Sequence, residues 1–221
     1  MGCCGSSLEG GRKRRNIGAA GWAALPEHLR LGVTLAGMRE LLSQLPSDAV
    51  EQVNANIPLD KETGEPKFPD NDVENGYVNQ FHITRSEEED KLTVCERLQS
   101  RKSPHVGKAT VCVSWFLDTP IATLLDALAN FLKEKGLSEE DTFFWVCDNV
   151  IRQTNVGPDL ELLGDCVSAI GHTVLLLEPW NDPQPLKRAY CITRRSTTRR
   201  RAARSSTWGC PRRSRPRSKR L

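Results

Sequence analysis

The sequence predicts an α/β fold: a small, open three-layer sandwich with a mainly parallel sheet, preceded by short helices and followed by a disordered basic tail. Short apolar runs alternate with amphipathic helical patterns between residues 109 and 193. Strands that are apolar along their whole length are typical of parallel sheets covered by helices on both faces. The 28 residues 194–221 contain twelve Lys and Arg and no acidic residue, so they carry too little apolar surface to form a core.

Three strands are predicted in the C-terminal half of the chain. Each is a short run rich in apolar residues: ATVCVSWF (109–116), TFFWVCDNV (142–150) and HTVLLLEPW (172–180). Right-handed crossovers between them would produce an open sheet of the Rossmann or flavodoxin type. Because three strands are few for such a sheet, we expect one or two more at positions that the pattern does not identify.

Helices are predicted where aliphatic residues recur at intervals of three and four. The clearest pattern spans residues 118–136 and ends at Gly136, a residue type that commonly ends helices. A second pattern spans 159–170, and a further helix is predicted to begin at residue 182.

The segment ahead of the sheet predicts short helices and a loop. Residues 26–45 predict one helix that Pro46 stops, and a second short helix follows it. Residues 58–76 predict a long loop because Pro, Gly, Asp, Asn and Glu are frequent there. Residues 92–98 predict another short helix.

Four segments result from these patterns. They are a flexible basic arm (1–20), a helical and loop-rich segment packed on the core (21–108), the α/β domain (109–193) and the disordered tail (194–221). Residues 16–193 carry 15 basic and 27 acidic residues. The net charge of +3 therefore combines an acidic central part with two basic ends.

The eight cysteines do not resemble a disulfide scaffold. Cys112, Cys147 and Cys166 lie inside apolar runs, where a free thiol behaves as a small core residue. The sequence contains no CxxC pair, so a zinc site is not indicated. No stretch approaches the roughly 18 apolar residues of a membrane span, and a reducing, cytosolic setting is expected.

The N-terminal residues MGCCGSS predict a lipid anchor. Gly2, followed by Ser6, fits the N-myristoylation pattern, and Cys3 and Cys4 are candidate palmitoylation sites. A single myristoyl chain binds membranes only marginally, so a second signal is needed. A basic cluster supplies one through attraction to an anionic leaflet; its residues are Arg12, Lys13, Arg14 and Arg15. The pattern resembles dually acylated signalling proteins and predicts a location at the cytoplasmic face of a membrane.

The basic tail, residues 194–221, is a candidate for nucleic-acid binding through its charge. Trp208 is its one aromatic residue, so stacking on bases has little support. A solvated tail with nonspecific affinity for polyanions is the favoured interpretation.

Acidic residues follow the three predicted strands: Asp118, Asp148 and Glu178. Open α/β sheets bind ligands at the carboxyl ends of their strands, where such acids could hold a metal or hydrogen-bond a ribose. Acids in these positions are also typical of helix caps and solvated turns. The sequence contains no glycine-rich phosphate loop, and neither a cofactor nor a catalytic set is predicted.

Residues 109–192 resemble the TIR (Toll/interleukin-1 receptor-like) domain. VCVSW (111–115) corresponds to a first strand that ends in a serine and an aromatic residue, and RAYCI (188–192) to the family's S-x-W-C-x-x-E-L segment. The stretches FFWVCDNVIRQT, AIGHTVLLLEPW and LKRAYCI are also similar to uncharacterised proteins of unicellular algae. The resemblance covers about 85 of the 221 residues.

The TIR resemblance implies one of two roles. Some TIR domains cleave NAD with a glutamate, and others assemble with partner domains. The position of that glutamate corresponds to Arg194 in this chain. The expected function is therefore a membrane-tethered signalling or protein-interaction module without catalytic activity, with self-association as one form of partnering. The alternative is an NAD-processing hydrolase that uses the acids at the strand ends.

Overall fold

A computed structural model describes residues 19–68 and 72–178, together with Asn181 and Pro183. Within this part of the chain, a five-stranded mixed sheet lies among nine α-helices. The α/β class predicted from the sequence is confirmed. The lipidation and basic residues of the N-terminal arm, the helix predicted from residue 182 and the tail 194–221 lie outside the described residues.

The sheet has the strand order β2-β1-β4-β3-β5. Its strands are β1 (Leu31–Val33), β2 (Val106–Lys108), β3 (Val111–Ser114), β4 (Phe144–Trp145) and β5 (Thr173–Leu175). β3 pairs in parallel with β4 and β5, whereas β1 is antiparallel to both β2 and β4. The sheet is therefore mixed, with two parallel and two antiparallel pairings among the described residues, and not mainly parallel as predicted. The parallel pairing expected of the three predicted strands is confirmed.

β3 lies between the other two parallel strands. Cys112 pairs with Trp145 on one side and with Thr173 on the other. All four residues of β3 are buried, as expected for a strand covered on both faces. Its apolar composition therefore reflects its central position.

The additional strands expected from the sequence are β1 and β2. Both come from the segment before residue 109, and β1 joins them to the edge of β4. Residues 21–108 therefore contribute directly to the same sheet as the C-terminal half of the chain.

The α-helices vary in length from four to 15 residues. They are α1 (Ala19–Ala24), α2 (Leu35–Ser43), α3 (Ala49–Asn56), α4 (Gly76–Asp90), α5 (Val94–Ser100), α6 (Ile121–Lys135), α7 (Cys147–Val150), α8 (Val156–Glu161) and α9 (Leu163–Ile170). The helices predicted after Pro46, around 92–98 and over 118–136 correspond to α3, α5 and α6.

The single helix predicted over residues 26–45 is wrong. A short 3-10 helix (His28–Arg30) is followed by strand β1, and an α-helix begins only at Leu35. All three residues of β1 are buried, as expected for a strand covered on both faces. The side chain of Thr34 then accepts a hydrogen bond from the Gly37 amide and caps α2.

Two further boundaries differ from the prediction. The strand predicted over 142–150 is extended only at Phe144–Trp145, and Cys147–Val150 is helical. The helix predicted over 159–170 is interrupted at Leu162 and divides into α8 and α9. An apolar run buried on all sides does not distinguish a strand from a short helix, because both conformations hide it.

Two clusters of buried side chains stabilise the described residues. The larger packs on the sheet and includes Phe144, Trp145 and Leu128. The smaller joins α3 to α4 around Val53 and Val78. Among the described residues, no helix is both long enough and apolar enough to cross a bilayer.

Candidate ligand-binding cavity

A cavity of about 520 Å³ lies beside the carboxyl ends of β3 and β4. Helices α2, α4, α5 and α6 line it, together with Trp115 after β3 and Val146 after β4. Ligands of open α/β sheets bind at this end of the strands, and sites for small organic ligands commonly measure about 300–1,000 Å³. Position and size therefore make this cavity the candidate functional site.

Apolar side chains make up about half of the cavity's lining. Many of them come from α2, α5 and α6: Leu41, Leu42, Leu98, Ile121, Leu124 and Leu125. The three residues from α6 lie on one face of that helix because they are spaced by three and four positions. The same stripe that packs α6 into the core thus supplies an apolar wall.

A tryptophan and a buried aspartate form a polar group in the cavity. Trp115 Nε1 donates a hydrogen bond to Asp148 Oδ2 over 3.0 Å. Asp148 is only 6% exposed, and a buried carboxylate is costly unless it is hydrogen-bonded. The indole donor therefore stabilises the Asp148 carboxylate in its buried position. Asn149, equally buried, lines the cavity beside it.

Charged side chains from α4 and α5 surround the aliphatic wall. Arg97 Nε and Nη2 donate to the two carboxylate oxygens of Asp90 over 2.6 and 3.0 Å. This bidentate contact is the main reason that the pKa of Asp90 is lowered. Arg85 and Arg101 also line the cavity and are exposed. Among the described residues, neither guanidinium has a carboxylate oxygen within 4.0 Å.

The α4 wall is held in place by a fully buried glutamate. Glu87 is 1% exposed, and its oxygens accept hydrogen bonds from the amides of Gln153 and Thr154 over 2.8 and 3.1 Å. The Thr154 hydroxyl donates a third over 2.6 Å. These contacts join α4 to the loop that follows α7, the helix that carries Asp148.

His82 fixes the other side of α4. Its Nε2 lies 3.0 Å from the carbonyl oxygen of Ala49, to which it donates a hydrogen bond. His82 lines the cavity, and Ala49 is the first residue of α3. The helices beside the cavity are thus tied to their neighbours by side-chain contacts.

The α5 wall is stabilised at its N-terminus. Thr93 and Glu96 form a capping box, in which each side chain accepts from the other residue's amide. Glu96 also accepts from Arg152 Nη2 over 2.9 Å, and Arg152 Nη1 donates to the Lys91 carbonyl. The loop after α7 is therefore linked to α5 as well as to α4.

The structure places the three predicted acids in different surroundings. Asp148 lines the cavity, whereas Asp118 and Glu178 are not among its lining residues and are exposed. Asp118 lies 3.4 Å from Asn75 Nδ2. Burial, followed by the charge of Asp118, raises the pKa of Asp72. No group of three His, Cys, Asp or Glu suited to a metal ion occurs in the described part of the chain.

The sequence patterns did not identify the charged side of the cavity. Arg85, Asp90 and Arg97 belong to α4 and α5, and the fifteen-residue helix α4 was not predicted at all. α4 is mostly polar and lacks an apolar stripe, so periodicity alone is a poor signal. Asn75, whose side chain accepts from the Tyr77 amide, is the one local signal for its start.

Comparison with protein-family models, with curated proteins and with solved structures found no match for this chain. The resemblance to TIR domains stays a prediction.

Proposed function

We propose that the protein is a membrane-tethered signalling or interaction module whose α/β domain acts by binding and not by catalysis. The N-terminal sequence is the observation that carries the tether. Gly2, Cys3 and Cys4 offer two kinds of acylation, and four basic residues follow within the first fifteen positions. Two such signals together are what stable membrane association requires.

The cavity supports a binding role for the domain. Its lining combines apolar side chains with a nearly equal number of polar and charged ones, so both an apolar part and a polar group of a small ligand would find partners there. Asp148 accepts a hydrogen bond from Trp115, and Asp90 is occupied by Arg97. Carboxylates that already accept hydrogen bonds from neighbouring side chains are suited to a structural role in a binding site. The same proposal includes a TIR-like or flavodoxin-like arrangement of the three parallel strands, β4, β3 and β5.

An NAD-processing hydrolase is the second candidate. The observation that favours it is the buried carboxylate of Asp148, which lines a cavity at the carboxyl ends of β3 and β4. Incubation of the purified full chain with NAD distinguishes the two candidates. NAD that stays intact agrees with the binding module. Turnover that is lost in Asp148→Asn but kept in Asp126→Asn, an exposed acid on α6, would establish the hydrolase instead.

The tether is tested by fractionation of cells that express the full chain with a C-terminal tag. The wild type is expected in the membrane fraction, and Gly2→Ala in the soluble fraction, because the acylated amine is lost. Gly5→Ala is the matched control, since it makes the same change and leaves Gly2 in place. A wild-type chain in the soluble fraction, or a Gly2→Ala chain that stays with membranes, contradicts the tether.

A further inference from the structure

We propose that the cavity binds a linear acyl chain that carries an anionic head group. This inference deepens the proposed binding role and names its ligand class. It does not depend on the tether, because the cavity is formed by residues 38–149 of the chain.

The apolar half of the wall favours an aliphatic group on the ligand. Leucine and isoleucine side chains from α2, α4, α5 and α6 line the cavity, and its aromatic side chains are Trp115 and His82. The ring nitrogen of each is engaged, Trp115 with Asp148 and His82 with the Ala49 carbonyl. A planar aromatic ligand gains most from stacked rings, whereas a flexible acyl chain gains from contact with methyl and methylene groups.

The charges beside the wall favour an anionic head. Arg97 is engaged by Asp90, whose pKa the charge of Arg101 also lowers. Arg85 lies 5.7 Å from the centre of the Phe81 ring, and in the described residues neither Arg85 nor Arg101 has a carboxylate oxygen within 4.0 Å. A carboxylate or phosphate on the ligand would accept charge-assisted hydrogen bonds from these two guanidinium groups. Two acids of the lining are already engaged, Asp90 by Arg97 and Asp148 by the Trp115 indole. A cationic head would therefore meet Arg85 and Arg101 beside the third acid, Glu89.

Two sources could supply such a chain. One source is a free fatty acid or lysolipid, and the other is the acyl group on Gly2 of the protein itself. Gly2 lies 17 residues before the start of α1 at Ala19. Such a segment reaches about 56–61 Å when extended, more than the width of a domain of this size.

The site is tested with dodecanoate, titrated by calorimetry into the unacylated full chain. Chains of eight, ten and twelve carbons are compared, and affinity is expected to rise by up to about fourfold per buried methylene. Ser86→Trp, which places a large ring on the cavity side of α4, is expected to abolish binding. Glu88→Trp is the matched control, because Glu88 is exposed on the same helix and does not line the cavity. Absence of binding to the wild type, or equal binding by the two tryptophan variants, overturns the proposal.

The head group is tested with dodecanol and with charge removal. Dodecanoate is expected to bind about tenfold more weakly to the double variant Arg85→Ala, Arg101→Ala, as for the loss of a charge-assisted hydrogen bond. The double variant Lys61→Ala, Lys133→Ala removes the same charge from exposed positions outside the cavity and is expected to bind normally. Equal affinity for dodecanol and dodecanoate overturns the anionic head.

The source is distinguished with protein acylated on Gly2 during expression. If its own acyl group occupies the cavity, the acylated chain binds dodecanoate much more weakly than the Gly2→Ala chain. If the ligand is external, the two chains bind equally. A wild-type protein that is found in the soluble fraction but binds dodecanoate refutes the tether and leaves the proposed acyl-binding site intact.

Discussion

Glu87 offers a sharp test of how the cavity is held together. Its carboxylate is 1% exposed and accepts three hydrogen bonds from Gln153 and Thr154, over 2.8, 3.1 and 2.6 Å. Glu87→Ala removes all three and leaves two backbone amides without their acceptor. The loop after α7 would then lose its connection to α4.

The expected cost follows from the number and kind of these bonds. Hydrogen bonds to charged groups contribute about 1.5–3 kcal/mol each. Thr154 is exposed, so water can replace part of what it loses, and we expect Glu87→Ala to lower the free energy of unfolding by about 3 kcal/mol. Glu87→Gln keeps one carbonyl acceptor and the side-chain shape, so about half that loss is expected.

Urea unfolding followed by circular dichroism measures these differences. Glu88→Ala is the control on the same helix, and as an exposed substitution it should change the free energy by no more than about 0.5 kcal/mol. If Glu87→Ala and Glu88→Ala unfold at the same urea concentration, the buried carboxylate does not hold the loop and the interpretation is refuted.

Three other predictions concern thiols, pH and packing. Burial raises the pKa of the Cys166 thiol to about 12, so at pH 8 its thiolate fraction is about 10⁻⁴ and mass spectrometry should find it unalkylated until the chain unfolds. Arg97 lowers the pKa of Asp90, so this ion pair stabilises the fold above about pH 4, and the stabilisation is lost as the pH falls through the lowered pKa. Thermal unfolding of Asp90→Asn should therefore differ from that of the wild type by under about 1 kcal/mol at pH 7, and the two proteins should become equally stable in acid. Gly76→Ala would place its Cβ against the carbonyl oxygen of Leu117, and urea unfolding should show a destabilisation of about 2 kcal/mol or more. Gly164→Ala, which meets nothing within 4 Å in α9, should instead stabilise by about 0.5–1 kcal/mol.

Sequence patterns predict the helices that are buried along one face and the strands that are buried along their whole length. α6 carries a continuous aliphatic stripe and ends at Gly136 in the left-handed conformation, and both features are local. β3 was recognisable because every residue in it is buried. β1 is also buried throughout, but Leu29 and Val33 are four residues apart and continue the apolar spacing of α2, so the pattern predicted one helix there.

The candidate site was only partly predictable for a related reason. Asp148 follows an apolar run, and that position alone indicated a place at the edge of the sheet. Arg85 and Arg101 come close to this acid only because α4 and α5 pack beside α7, the helix that carries it. Such packing depends on contacts distant in sequence, including those of the buried Glu87, which no local pattern reveals.

Membrane attachment through the N-terminus is the central claim, and intact mass spectrometry of the chain purified from its native cells tests it most directly. The expected result is a mass that includes myristate on Gly2 and palmitate on Cys3, Cys4 or both, with the palmitate removed by hydroxylamine, which cleaves thioesters. A chain that carries an unmodified Gly2 and two free thiols at these positions would contradict the claim.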